Sequence, residues 1–282
     1  MSTVITKHPK VEDYFHYLPF MNPMTHRDDL GDKLVTWYEK GDVIVFDNPQ
    51  LQMDVEFLRS LPLVQSNDAY VRKAKPKALL LPLSETTFPT HILSKMFPGE
   101  FLTALRFQDQ IRHVSEQVFN FVDYAFPGYK VISRDQYSWR FCETKNEGLH
   151  WDSYGTEPET STGVRVFINL DSQPRVWGLS HKVDDIIKLY RTKKNLDRFA
   201  HLHPNQINDQ LNKAIPVKKQ HQHRVEFAPL SMWLVHSQIV GHEIIYGRKM
   251  AAYTIRVEPS SLRKPKDDFV NRVRRALSKK DS

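Results

Sequence analysis

Cysteine is almost absent from this chain of 282 residues: Cys142 is the only one. That excludes an internal disulfide framework and a cysteine-rich zinc site. Long apolar runs are missing too, and none approaches the roughly 18 residues needed to span a bilayer. No basic, apolar, small-residue cleavage pattern opens the sequence, so the expected compartment is the cytoplasm. Zinc-finger spacing, an RNP-type aromatic motif and a basic heptad region are all lacking, and no nucleic-acid partner is expected. No internal repeat of fixed period is visible.

What is present is ordinary globular composition, 40% hydrophobic and 26% charged, with a formal net charge of +7. This length suits one large domain and is ample for a hydrophobic core. A basic balance favours an acidic partner, an anionic substrate or membrane surface, although it also serves solubility alone.

Texture divides the chain. Residues 1–128 hold short apolar runs such as Val43-Ile44-Val45-Phe46 and then a helical stretch over 98–126. There Ile111, Val114, Val118, Phe121 and Val122 recur at helical spacing before Pro127-Gly128. Ala78-Leu-Leu-Leu-Pro82 reads as buried, after a basic loop at 73–77. Residues 129–258 are strand-like, with β-branched residues 164–170 as the clearest strand. A helical insertion interrupts them near 182–213. A tight turn at Tyr246-Gly247 is expected between the last two strands. The tail, 259–282, carries Phe269, Val273 and Leu277 at i, i+4, i+8 and is basic from Arg272 onward. It reads as a terminal helix packed on the domain or one lying on an anionic membrane surface. The expected architecture is α+β, a single domain over 1–282 with a double-stranded β-helix core (jelly-roll, cupin-like) and flanking helices.

Within the strand region stands Gly148-Leu149-His150-Trp151-Asp152. On an extended strand, His150 and Asp152 share a face. An imidazole and a carboxylate so placed are two parts of a 2-His-1-carboxylate triad, which holds non-haem Fe(II) and leaves positions open. The third ligand should be a later histidine. His242, at a strand start, suits that place, and His236, in the exit of residues 232–235, is the alternative. Such a site also needs an electron-supplying cosubstrate. 2-Oxoglutarate would ask for a cation at its far carboxylate, which an arginine fork supplies. Arg248 ranks first and Arg256, of the same strand parity, next. Arg165 is a third inward candidate, for cosubstrate or substrate.

The segments Gly148-Leu-His-Trp-Asp-Ser-Tyr154, Arg165-Val-Phe-Ile-Asn-Leu170 and Pro174-Arg-Val-Trp177 resemble those of the Kdo 3-hydroxylases, as does the stretch from Trp233 to His242. The resemblance covers residues 137–257. It implies an Fe(II)/2-oxoglutarate-dependent dioxygenase that hydroxylates the Kdo sugar of lipopolysaccharide, with O2 as oxidant and ascorbate assisting. It places the metal on His150, Asp152 and His242. An acidic sugar then implies Arg165, Arg175 or Arg140 at its carboxylate, and Trp151, Tyr154 and Trp177 as pocket walls. It also implies an anionic glycolipid met at the inner face of the cytoplasmic membrane. Gly247-Arg248 and Ala252-Tyr-Thr-Ile-Arg256 depart from the family pattern, and Asn-Leu-Asp171 stands where Asn-X-Asn-Pro is usual. Gly247-Arg248 is closer to general 2-oxoglutarate oxygenases, in which the arginine binds the cosubstrate. Other readings stay open: the same chemistry on an amino acid, a peptide or another small metabolite, and a non-catalytic cupin-like binding protein.

Overall fold

The computed structural model describes residues 2–18, 28–64, 96–152 and 162–278. In chain order its elements are β1 (Val4–Thr6), β2 (Phe15–Leu18), α1 (Asp28–Glu39), β3 (Val43–Phe46), α2 (Val55–Ser60) and α3 (Phe101–Ala125). They continue with β4 (Val131–Lys145), β5 (Thr162–Asn169), β6 (Arg175–Lys182), α4 (Val183–Lys194) and α5 (Pro204–Ala214). The last are β7 (His223–Phe227), β8 (Met232–Leu234), β9 (Val240–Val257) and α6 (Phe269–Ser278). The expected run at 78–82 and the basic loop at 73–77 lie outside the described residues.

All nine strands form one curled sheet, ordered β1-β7-β6-β9-β5-β8-β3-β2, with β4 also paired to β9. The long β9 organises it. Residues 240–246 of β9 pair with β6, and residues 250–257 pair with β5. Strand β4 runs antiparallel along β9 from Val131↔Val257 to Lys145↔Tyr246. Because β5 and β6 leave β9 in succession, the sheet folds over on itself into the jelly roll. The N-terminal segment joins it: β1 pairs with β7, and β3 pairs with β8.

Two apolar layers follow from strand alternation. The inward face buries Val43, Val45, Phe167, Trp177, Leu179, Val225, Phe227, Trp233, Met250 and Ala252. The outward face carries Ile44, Phe46, Val164, Val166, Ile168, Tyr253 and Ile255, and helix α3 covers it with Phe107, Ile111, Val114, Val118 and Phe121. Those α3 positions are the predicted stripe, and the helix ends one residue before the expected boundary. A third cluster is built mainly by α4, α5 and α6, with Trp151, Leu196, Phe199, Ile215 and Ile239 added from the connecting segments. The terminal helix packs into it through Phe269, Val273 and Leu277, which are all buried.

No turn interrupts β9 at Tyr246-Gly247; the strand is continuous. The glycine serves a close approach instead. A Cβ on Gly247 would lie 2.3 Å from Nη1 of Arg175.

The arm that follows β1 is held by a histidine. The buried His223 ring accepts the backbone N–H of His8 at Nδ1 (2.9 Å) and donates from Nε2 to the carbonyl of Glu12 (2.9 Å). This pairing needs the neutral ring, and burial pushes its pKa below the ordinary value. Near and below the ordinary histidine pKa, the unfolded chain therefore takes up a proton that the folded ring refuses. Stability is full above that pKa and falls as the pH drops through it. Thermal melts between pH 7.5 and 5 should show a steeper loss for the wild type than for His223→Gln.

Candidate metal centre

Strand β4 ends at Lys145, and the chain returns to β9 through a single antiparallel bridge, His150↔His242. Backbone bonds in both directions, each 2.9 Å, set the two histidines side by side. Asp152 then ties its N–H to the carbonyl of Ser237 at 2.9 Å. The i, i+2 spacing turns Asp152 back to the same side as His150. One ligand atom from each of His150, Asp152 and His242 lies within 4.8 Å of the others.

The imidazoles are oriented from behind. Nδ1 of His150 bonds the carbonyl of Gly148 at 2.8 Å, and Nδ1 of His242 bonds that of Val240 at 3.1 Å. A carbonyl only accepts, so both rings carry their proton on Nδ1 and present the Nε2 lone pair to the site. Those Nε2 atoms stand 3.4 and 3.7 Å from Oδ1 of Asp152. Cis ligands with bonds of ~2.1 Å would sit roughly 3 Å apart. Two lone pairs and a carboxylate converging on one point repel one another unless a cation sits between them. The donor set therefore fits a metal such as Fe(II).

The charges agree. Burial would raise the pKa of Asp152, but the Arg165 guanidinium and the two imidazoles hold it far below the carboxylate range. Burial lowers His242 to about 4, which keeps it a neutral ligand at physiological pH. Burial also opposes protonation of His150, yet Asp152 and the Gly148 carbonyl leave its pKa raised. His236, the alternative ligand, is outside the cluster. It is buried, contacts Thr162 Oγ1 at 3.2 Å, and is pushed down to about 3 by burial.

The arginines separate into distinct roles. Arg165 bonds Asp152 Oδ2 and Ser237 Oγ, so it braces a ligand. Arg248, ranked first for the cosubstrate, is gripped by Asp171 through both oxygens at 2.7 and 2.6 Å. Arg256 lies near the C-terminal end of β9, its Nε on Ser133 Oγ at 2.8 Å. Arg175 differs from all of these. It is 1% exposed, and none of Nε, Nη1 and Nη2 has a hydrogen-bond partner among the described residues. Burial, with Arg140 nearby, lowers its pKa to about 9, so it is still cationic at pH 7. It shares the inward face of β6 with Trp177 and Leu179, and Trp177 stacks on His242 with ring centroids 5.5 Å apart.

Trp151 is not a pocket wall. It faces away from His150 and Asp152 and is fully buried in the cluster of α4, α5 and α6. Tyr154 lies outside the described residues. Sequence reasoning also missed Asn208 and Asn212 on α5, which bond the backbone of the ligand strand. Two amides four residues apart beside the apolar Ile207 and Leu211 were the available signal.

No family model matches this sequence, and no curated protein does. Among solved structures, the fold is similar to the Kdo hydroxylase KdoO, a non-haem Fe(II) α-ketoglutarate-dependent dioxygenase. Its complex with α-ketoglutarate and Fe(III) aligns with TM-score 0.68 and 17% identity, over 94% of this chain and 96% of that one. The cobalt(II) complex gives 0.66 and 17%, over 95% and 97%. The complex with succinate and Fe(III) gives 0.65 and 17%, over 95% and 97%. At this identity the likeness is one of fold: a cupin-like double-stranded β-helix core flanked by helices.

Proposed function

We propose that this protein is an Fe(II)/2-oxoglutarate-dependent hydroxylase acting on an anionic sugar or glycolipid of the Kdo kind. The observation that carries the reading is the part-buried donor set of His150, Asp152 and His242, together with a buried guanidinium on the same inward face that has no hydrogen-bond partner among the described residues. The three side chains hold the metal. Arg175, in place of the expected Arg248, pairs with the far carboxylate of 2-oxoglutarate, its fork matching that group. When bound, iron and 2-oxoglutarate supply the O2-dependent chemistry that replaces C–H by C–OH, releasing succinate and CO2.

The chain's own residues do the rest. The Gly148 and Val240 carbonyls keep protons on Nδ1, so Nε2 stays available. Arg165 fixes Asp152 and keeps it ionised. Trp177 and the aromatic interior of the roll, including Trp233 and Phe227, exclude water from the reacting centre. Arg165, on β5, and Arg256, on β9, give the inner face positive charge for an acidic substrate. The resemblance of residues 148–177 to the Kdo 3-hydroxylases and the fold shared with KdoO favour a Kdo sugar as that acid.

We place the protein in the cytoplasm at the inner face of the membrane. In support, α4 exposes Lys188, Leu189, Lys193 and Lys194, and α6, packed against it, exposes Arg274.

The test is succinate formation from 2-oxoglutarate with Fe(II) and ascorbate under air. Wild type should turn over slowly without substrate and faster with a Kdo-containing glycolipid, whereas His150→Ala and His242→Ala should not turn over. No turnover together with no tight Fe(II) binding would leave a cupin-like scaffold. Stimulation only by amino acids or peptides would keep the chemistry and replace the substrate.

A further inference from the structure

The extended segment that carries two of the three proposed metal ligands has no strand on its outer side among the described residues. His150 exchanges both backbone bonds with His242, and the N–H of Asp152 goes to Ser237. Strand alternation then points the N–H and C=O of Trp151 the other way, toward α5. There, Asn212 meets both. The Trp151 N–H donates to Asn212 Oδ1 at 3.0 Å, and Asn212 Nδ2 donates to the Trp151 carbonyl at 2.9 Å. One turn earlier, Asn208 Nδ2 donates to the Asp152 carbonyl at 2.7 Å and to the Gln238 carbonyl at 3.1 Å. Every backbone polar group from His150 to Asp152 is thereby satisfied. The Trp151 ring adds a peg, fully buried among α4, α5 and α6. It fits because position 241 is glycine; a Cβ there would meet the ring at 2.8 Å.

Resting on the metal-centre reading, we propose that Asn208 and Asn212 are positioning residues, their carboxamides replacing a missing strand and setting the place of His150 and Asp152. The sequence accepts a cost for this. Asparagine is a poorer helix former than alanine, and Asn208 is 1% exposed with its Nδ2 on two carbonyls and its Oδ1 without a partner among the described residues. An apolar side chain at either position would suit the cluster's packing, but it would leave the backbone carbonyls that both amides meet, and the Trp151 N–H that Asn212 meets, without partners. The helical insertion is thus the rear support of the metal centre. Its loosening should register in metal binding before it registers in the rest of the barrel, because small displacements of ligands are costly.

The experiment is titration of the apo-protein with Co(II), following the d–d absorption and the affinity, with thermal melts alongside. Asn212→Ala and Asn208→Ala should weaken Co(II) binding by about 10- to 100-fold and alter the spectrum. Asn212→Asp, which keeps the acceptor for the Trp151 N–H, should fall between wild type and Asn212→Ala. Ile207→Val, a cavity in the same helical cluster, should lower the melting temperature while leaving Co(II) affinity within about twofold. Wild-type affinity and spectrum in Asn212→Ala, with only a lower melting temperature, would overturn the positioning role. A wild type that binds no Co(II) would overturn the metal-centre reading, and this one with it.

Discussion

Arg175→Met is expected to make the protein harder to melt and nearly unable to use 2-oxoglutarate. The two effects share one cause. A guanidinium is held 1% exposed with three nitrogens that bond nothing among the described residues. A buried charge without a partner is a standing cost, and an apolar replacement of similar volume removes it. The melting point of the free protein should rise, by an amount corresponding to about 1–4 kcal/mol. The cosubstrate, however, loses the partner of its far carboxylate. Truncating one side of a buried charge pair costs about 2–5 kcal/mol. The KM for 2-oxoglutarate should then rise roughly 30- to several-thousand-fold, with Co(II) affinity little changed. A structural arginine would give the reverse, a lower melting point and an unchanged KM.

Asp152→Asn is expected to abolish both metal binding and turnover while sparing the fold. The carboxylate sits between Arg165 on Oδ2 and the two Nε2 lone pairs facing Oδ1. An amide of the same shape can still accept from Arg165 with its oxygen, and its NH2 then donates to those imidazoles. The result is a hydrogen-bonded cluster that keeps the positive charge of Arg165 and has lost the anion that would admit a second cation. Loss of the only anionic ligand should raise the Co(II) dissociation constant at least about 100-fold, and succinate formation should drop to background. Asp152→Ala should lose turnover equally but melt lower, because it leaves Arg165 without even an acceptor oxygen there. Metal binding retained in Asp152→Asn would move the centre elsewhere.

Much of this was legible in the sequence where one periodicity acts alone. The stripe Ile111, Val114, Val118, Phe121 and Val122 of α3 is helical in pattern and helical in fact. The alternation that put His150 and Asp152 on one face holds, and applied to residue 151 it also places Trp151 on the other. Reading that tryptophan as a pocket wall ignored its own parity. Arginine roles were not legible, because they depend on which acid stands near in space. Asp171, at the end of β5, captures Arg248 from 77 positions away, and nothing local announces it. The glycine at 247 looked like a turn because a close approach by Arg175 leaves the same mark in the sequence. Strands β1 and β2 are three and four residues long, too short to display a period. They exist because β7 and β3 offer edges to them.

Strand β6 measures as well as supports. Leu179 lies opposite His242, and Arg175 stands four residues along the same strand on the same face. The backbone offset between metal ligand and carboxylate anchor is therefore about 13 Å, of which the two side chains span a part and a bound diacid the remainder. The backbone share of that distance is set by strand pitch, and Arg175, buried against Gly247, has little room to swing. The site is a caliper for chain length. On the proposed reading, 2-oxoglutarate, with five carbons, is expected to bind more tightly than keto diacids one carbon shorter or longer, a difference that competition for the apo-protein would measure.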